Sequence, residues 1–301
     1  PAGGSERWLT VAVLSWHSLS RPTHRSTTFR RRYAPRNLGL EANVELGLDW
    51  VFSQVDSAIV LEDDCHPDPS FFPYVEEMLE RYRDDERVWQ VSGSSMGVPE
   101  RLFNGDSYAF TAWASVWGWA TWADRWQRHR EVFTRDHVDG DDAPVRTVAA
   151  VQQPGLLVTG SGRRHFADAA ASDDTIIHGW DKHWWLTMMT FGAFAMSPSV
   201  NMVENVGWGS DATHGAAEGK RDHSAVAMHF PLCHPERVEL NVAVERELEL
   251  ILSRIGGRTA MLARRLVRSP GLRRAARTAV NSRAAIGLQR LVHRARAKVN
   301  R

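Results

Sequence analysis

Three carboxylates stand in a row at Glu62, Asp63 and Asp64, directly after the apolar run "AIVL" (58–61). Like charges this close keep their full charge only with water, a hydrogen-bond donor or a cation beside them. Magnesium and manganese prefer carboxylate and phosphate oxygens, and are commonly held by one or two carboxylates plus substrate phosphates. A divalent cation with a phosphorylated ligand is therefore one chemistry the triplet suits; a solvated acidic turn opening the next helix is the structural alternative. Asp181, in the aromatic setting "GWDKHWW" (179–185), is either a proton acceptor or a helix N-cap. His214, in "DATHG" (211–215), is a candidate phosphate or metal contact, or a plain surface histidine.

Elements must carry these residues. "WLTVAVLSW" (8–16) is apolar enough for a buried strand, and Leu40, Val44, Leu48 and Val51 recur at helical spacing. "SAIVLED" is a second buried strand, followed by a helix that Asp68 or Ser70 caps, with Phe72, Val75, Met78 and Leu79 on its apolar face. "RVWQVSGSS" (87–95) is a third strand. This alternation implies an α/β, Rossmann-like, mostly parallel sheet flanked by helices. Ligands bind such sheets beyond the carboxyl ends of the strands, where Glu62, Asp63 and Asp64 lie. Farther on, "TAWASVWGWATWADRWQRH" reads as a turn leading into a helix, "RDHVDGDDAP" (135–144) as an acidic loop, and "GWDKHWWLTMMTFGAFAM" as a helix and a strand.

With 301 residues, 43% of them hydrophobic, the chain is long enough for a real core. It has no run of about 18 apolar residues to span a bilayer, and its first residues lack the pattern of a signal peptide. Two cysteines, Cys65 and Cys233, make neither a zinc cluster nor a disulfide framework, and a cytoplasmic protein is expected. The net charge of +1 hides an asymmetry: fourteen Lys or Arg and no Asp or Glu follow from Arg254 onward, and 37 minus 14 leaves 23 basic residues against 36 acidic before it. The thirteen tryptophans cluster at 113–126 and 180–185; they suit stacking on sugar faces or bases, or an aromatic core.

The stretch "VLEDDCHPDPSFFPYVEEML" resembles the N-acetylglucosaminyltransferase I family, inverting glycosyltransferases of the GT-A fold, and is similar to bacterial family-2-type sugar transferases. "VWGWATW" (116–122) is similar to that family's Gly-Trp-Gly-Trp segment, "GWDKHWW" to its Trp-Asp-Asp-Trp, and "DATHG" to a Ser-His-Gly loop that closes over the donor. The resemblance spans roughly residues 37–235 and implies the following roles. Asp64 is the direct ligand of a manganese or magnesium ion that bridges the two phosphates of a nucleotide-diphosphate sugar. Glu62 and Asp63 hold the ribose and the metal's water, Asp181 is the catalytic base, Arg21 takes the diphosphate, and Trp119, Trp180 and His214 line the donor site. The implied activity is hexosyl transfer to a hydroxyl of a glycan or lipid-linked acceptor, in cell-surface glycan synthesis.

The family follows its first strand with a helix and a second strand that reads the nucleotide base. Here residues 20–39 leave too little chain for both, and no acidic residue occurs between Glu6 and Glu41. Two alternatives stay open: a catalytically impaired carbohydrate-binding or scaffold protein that keeps the fold, and a sugar-phosphate nucleotidyltransferase. The expected organisation is a transferase domain over 1–253 and a basic amphipathic helical tail over 254–301. Such a tail suits an anionic membrane surface, which places the protein in the cytoplasm or at the inner face of the membrane; nucleic acid is not an expected partner.

Overall fold

The computed structural model describes residues 9–14, 29–34, 36, 38–135, 145–147, 156–160, 162, 179–207 and 224–255. Strand β1 (Leu9–Leu14) pairs antiparallel with β2 (Phe29–Tyr33) in a two-stranded ribbon of their own. Helix α1 (Leu40–Phe52) starts after Gly39, whose φ of 74° is a left-handed value that glycine adopts without a Cβ penalty. Its inner face is Leu48, Val51 and Phe52, but Leu40 is 65% exposed and Glu45 is buried. Strand β3 (Ser57–Val60), the short β4 (Cys65–Pro67) and helix α2 (Phe71–Arg81) follow. Ser70 sits at the N-cap of α2 without a side-chain cap bond; instead Asp68 Oδ1 accepts from Ser70 N at 2.8 Å and Ser70 Oγ at 2.6 Å. The helix buries Phe71, Tyr74, Val75 and Met78.

Strand β5 (Val88–Ser92) is buried at every position, as befits a strand covered on both faces. After it come β6 (Tyr108–Thr111), β7 (Trp119–Trp122), helix α3 (Ala123–Val132), and the small antiparallel pair β8 (Phe133–Arg135) and β9 (Val145–Thr147). Helix α4 (Trp180–Phe191), β10 (Phe194–Pro198), β11 (Val203–Asn205) and helix α5 (Val242–Ile255) complete the described elements.

The central sheet has the order β3-β7-β5-β10-β6. It is mixed, which corrects the expectation of a mostly parallel sheet. Only β5 and β10 pair in parallel; β7 runs antiparallel to both β3 and β5, and β6 antiparallel to β10. The cause is "WATW", expected within a turn, which forms a strand buried at all four positions and inserts between β3 and β5. The inserted strand still leaves β3 and β5 pointing the same way, so their carboxyl ends share one edge.

On one side of the sheet α2 packs with Val91, Phe110, Trp122 and Met196. A second cluster is aromatic: Trp89, Trp119, Trp126, Trp180 and Trp184 with Leu48 and Phe52. A buried tryptophan removes roughly 150–250 Å² from water, and at about 25 cal/mol per Å² each contributes several kcal/mol. This cluster holds α1, α3 and α4 against the sheet. The chain divides into units Pro1–Ile251 and Leu252–Arg301, and the basic tail beyond Ile255 lies outside the described residues, as does most of the acidic loop 135–144. Among the described residues no helix is long and apolar enough to cross a membrane.

Candidate active site

The carboxyl ends of β3 and β5 converge on the start of β7, with Val60 and Ser92 both in register with Trp119. Gly93 N donates to Gly118 O at 2.7 Å. A Cβ on Gly93 would come within 2.5 Å of Phe71 and 2.6 Å of Val203, and one on Gly118, at φ 64°, within 2.7 Å of Val203. Glycine at both positions lets β11 pass tightly over the strand ends. The acidic triplet lies beside this crossing. Cys65 N donates to Glu62 O at 3.1 Å, closing a turn, and Val206 N donates to Asp64 O at 2.8 Å, continuing the β4–β11 ladder. The Asp64 carboxylate occupies the space a Cβ on Gly207 would need. Burial pushes the neighbouring Cys65 thiol up to about 12, so it stays protonated beside Asp64. Leu61 and Val206 form an exposed apolar rim at this turn.

The Glu62 carboxyl is pushed from 4.5 up to about 7, first by burial and then by the charges of Asp64, Asp181 and Asp63. All four influences act in the same direction. Asp181, remote in sequence, is thus close enough for its charge to bear on Glu62. Among the described residues no Lys, Arg or His pairs with any of the four carboxylates. Also among the described residues, no three His, Cys, Asp or Glu side chains converge as a ready-made metal cage. The donor set is an open array of hard oxygens. Such an array fits a divalent cation that takes its remaining ligands from water or phosphate, and a cation there would relieve the repulsion that Glu62 registers.

Asp181 is not the N-cap of α4. That position is Gly179, at φ 129° and without a side-chain cap bond, and Asp181 lies in the first turn. A Cβ on Gly179 would come within 2.5 Å of Asp181 Oδ1, so glycine leaves the carboxylate its place. The helix N-terminus favours negative charge there. Trp119 and Trp180, expected to line a donor site, are 0% and 3% exposed. Their rings stack on each other with centroids 5.7 Å apart, and Trp184 lies 5.4 Å from Trp119. Their faces are filled by aromatic neighbours, and they form a wall under the site. Arg21 and His214 fall outside the described residues.

Three residues of this region carry no signal that the sequence reading used: Gly207 against Asp64, and Glu41 and Glu45 on α1. Glu41 accepts a hydrogen bond from Gly179 N, and Glu45 Oε1 accepts from His183 Nδ1 at 3.1 Å. Their i, i+4 spacing is the one sign available beforehand. A separate cavity of about 270 Å³ sits at the other end of β5 and β7, lined by Glu86, Trp89, Asp124, Arg125 and Arg128, and includes none of the candidate residues. No protein-family model and no curated protein matches this chain.

Proposed function

We propose that this chain is a metal-dependent inverting glycosyltransferase of GT-A type that moves a sugar from a nucleotide-diphosphate donor to an acceptor hydroxyl. The observation that carries the reading is the acidic triplet at the carboxyl end of β3, beside the close Gly93–Gly118 crossing, with the charge of Asp181 reaching Glu62. Asp64, backed by Gly207 and the β4–β11 ladder, is the residue suited to hold manganese or magnesium. When bound, the cation supplies Lewis-acid stabilisation of the departing diphosphate charge. Glu62 and Asp63 would accept hydrogen bonds from the donor's ribose hydroxyls and from the metal's water. Asp181 takes the acceptor's hydroxyl proton as that oxygen bonds to the anomeric carbon; the bond from that carbon to the diphosphate oxygen breaks, and the nucleoside diphosphate leaves with its electron pair. One displacement inverts the anomeric centre. The rim of Leu61 and Val206 suits the apolar face of a sugar or a lipid-linked acceptor. The cytoplasm or the inner face of a membrane goes with this reading, the basic segment 254–301 being its support.

A carbohydrate-binding protein with an impaired donor site is a second reading, favoured by one observation: no metal cage is preformed among the described residues. Incubation with UDP-, GDP- and dTDP-sugars, with manganese and then EDTA, separates the two. The transferase releases nucleoside diphosphate from one donor, only with metal and only with Asp181 intact; a binding protein releases none.

A further inference from the structure

Helix α1 carries Glu41, Glu45 and Asp49 one turn apart on one face. Like charges at this spacing destabilise a helix taken alone, so the stripe is stabilised by what it touches. Glu41 accepts from the backbone N–H of Gly179. Glu45, 2% exposed, accepts from His183 Nδ1 and from Arg130 Nη1, both at 3.1 Å. Asp49 Oδ1 accepts from Trp126 Nε1 at 2.8 Å and forms an ion pair with Arg130 Nε at 3.1 Å. His183, fully buried, is held again through Thr187, whose hydroxyl donates to His183 O at 3.0 Å and bonds His129 Nδ1 at 2.7 Å. Two of the three carboxylates grip α4, at Gly179 and at His183, and Asp181 lies between those two points.

We infer that Glu41 and Glu45 are positioning residues for Asp181, α1 serving as a carboxylate ladder that fixes the first turn of α4 in place and rotation. Neither is placed at the reacting atoms; Glu41 acts through the backbone N–H of Gly179 and Glu45 through the side chain of His183, on either side of Asp181. Gly179 sits at φ 129° in the N-cap position: its carbonyl accepts from Lys182 N at 3.0 Å and His183 N at 3.3 Å, but its own N–H has no helical carbonyl to restrain it. The Glu41 contact supplies that restraint. The inference rests on the transferase reading for its catalytic consequence and on geometry alone for the grip.

The test compares full-length Glu41→Ala and Glu41→Gln with wild type by hydrogen exchange over residues 179–183, by donor binding and by turnover. The carbonyl of the glutamine can still accept from Gly179 N, whereas alanine cannot. Glu41→Ala should speed exchange at this segment by about tenfold, as expected for loss of one charge-assisted hydrogen bond. It should lower turnover by about 10- to 100-fold, the cost of a misplaced catalytic group, with donor affinity held within about twofold. Glu41→Gln should restore most of both. Wild-type exchange in Glu41→Ala overturns the grip, and faster exchange with unchanged turnover overturns the positioning role. A wild-type protein that releases no nucleoside diphosphate defeats the transferase reading instead, and the exchange data still decide the grip.

Discussion

Two sets of carboxylates in this molecule have opposite surroundings. On α1, Glu45 is almost wholly buried yet meets a histidine and an arginine, and Asp49 meets an arginine and an indole N–H. At the end of β3, burial and then the charges of Asp64, Asp181 and Asp63 push the Glu62 carboxyl up to about 7. A buried charge persists when it is paired or hydrogen-bonded, so the first set reads as architecture; the second is only partly buried, with Asp63 exposed, and is the cluster on which the proposed cation site rests. A raised carboxyl alone does not make that distinction. Glu245 on α5 is pushed to about 8, chiefly by burial, but its Oε2 accepts from Ala112 N at 2.8 Å and Trp113 N at 3.4 Å, tying two elements together. What sets the acidic turn apart is the convergence of two distant segments at the carboxyl end of a strand.

The comparison can be broken most severely at Asp181. Asp181→Asn should retain donor binding and lose about 10²–10⁴-fold in turnover, the range for a general base; steady-state kinetics beside calorimetric donor binding checks it. On the architectural side, Glu45→Ala strands His183 and Arg130 and should cost about 3 kcal/mol in urea unfolding, as expected when one partner of a buried pair is removed. Glu245 gives a smaller, pH-dependent effect. Its pKa is raised in the fold, so its stabilising contribution is present below about 4.5 and is lost as pH rises through about 8. Glu245→Gln should therefore flatten the fall in stability over that window, read from melts between the two limits without added metal. The smallest effect belongs to the exposed pair Arg83–Asp124, 3.1 Å apart and 45% and 48% exposed. Arg83→Ala should change stability by less than about 0.5 kcal/mol.

The local elements around the acidic turn were legible in the sequence, because an apolar run ending in "EDD" and a helix after "PDPSFF" are short-range patterns. The antiparallel β7 was not. "WATW" is buried on both faces and has no alternation to betray a strand, so its insertion is decided by pairing with β3 and β5. Tryptophan faces are equally mute: the same residue types build a stacking platform or a core, and here Trp119 and Trp180 fill each other's faces. The inner face of α1 was half legible. Leu48 and Val51 follow the period, but Glu45 displaces the pattern because its partners come from α3 and α4. Asp181 reads from the sequence as a cap or a base alike, and Gly179 in the cap position removes the first reading without deciding the second.

The central claim, that the acidic turn and Asp181 form one site for a cation and a nucleotide-sugar, is tested most directly by calorimetric titration of the folded protein with the UDP-, GDP- and dTDP-sugar panel. Manganese and EDTA are compared, with wild type beside Asp64→Asn. Binding of one donor that requires manganese, vanishes in EDTA and is lost in Asp64→Asn is the predicted result. Equal donor binding by wild type and Asp64→Asn with metal present, or no binding of any donor by well-folded wild type, would contradict it.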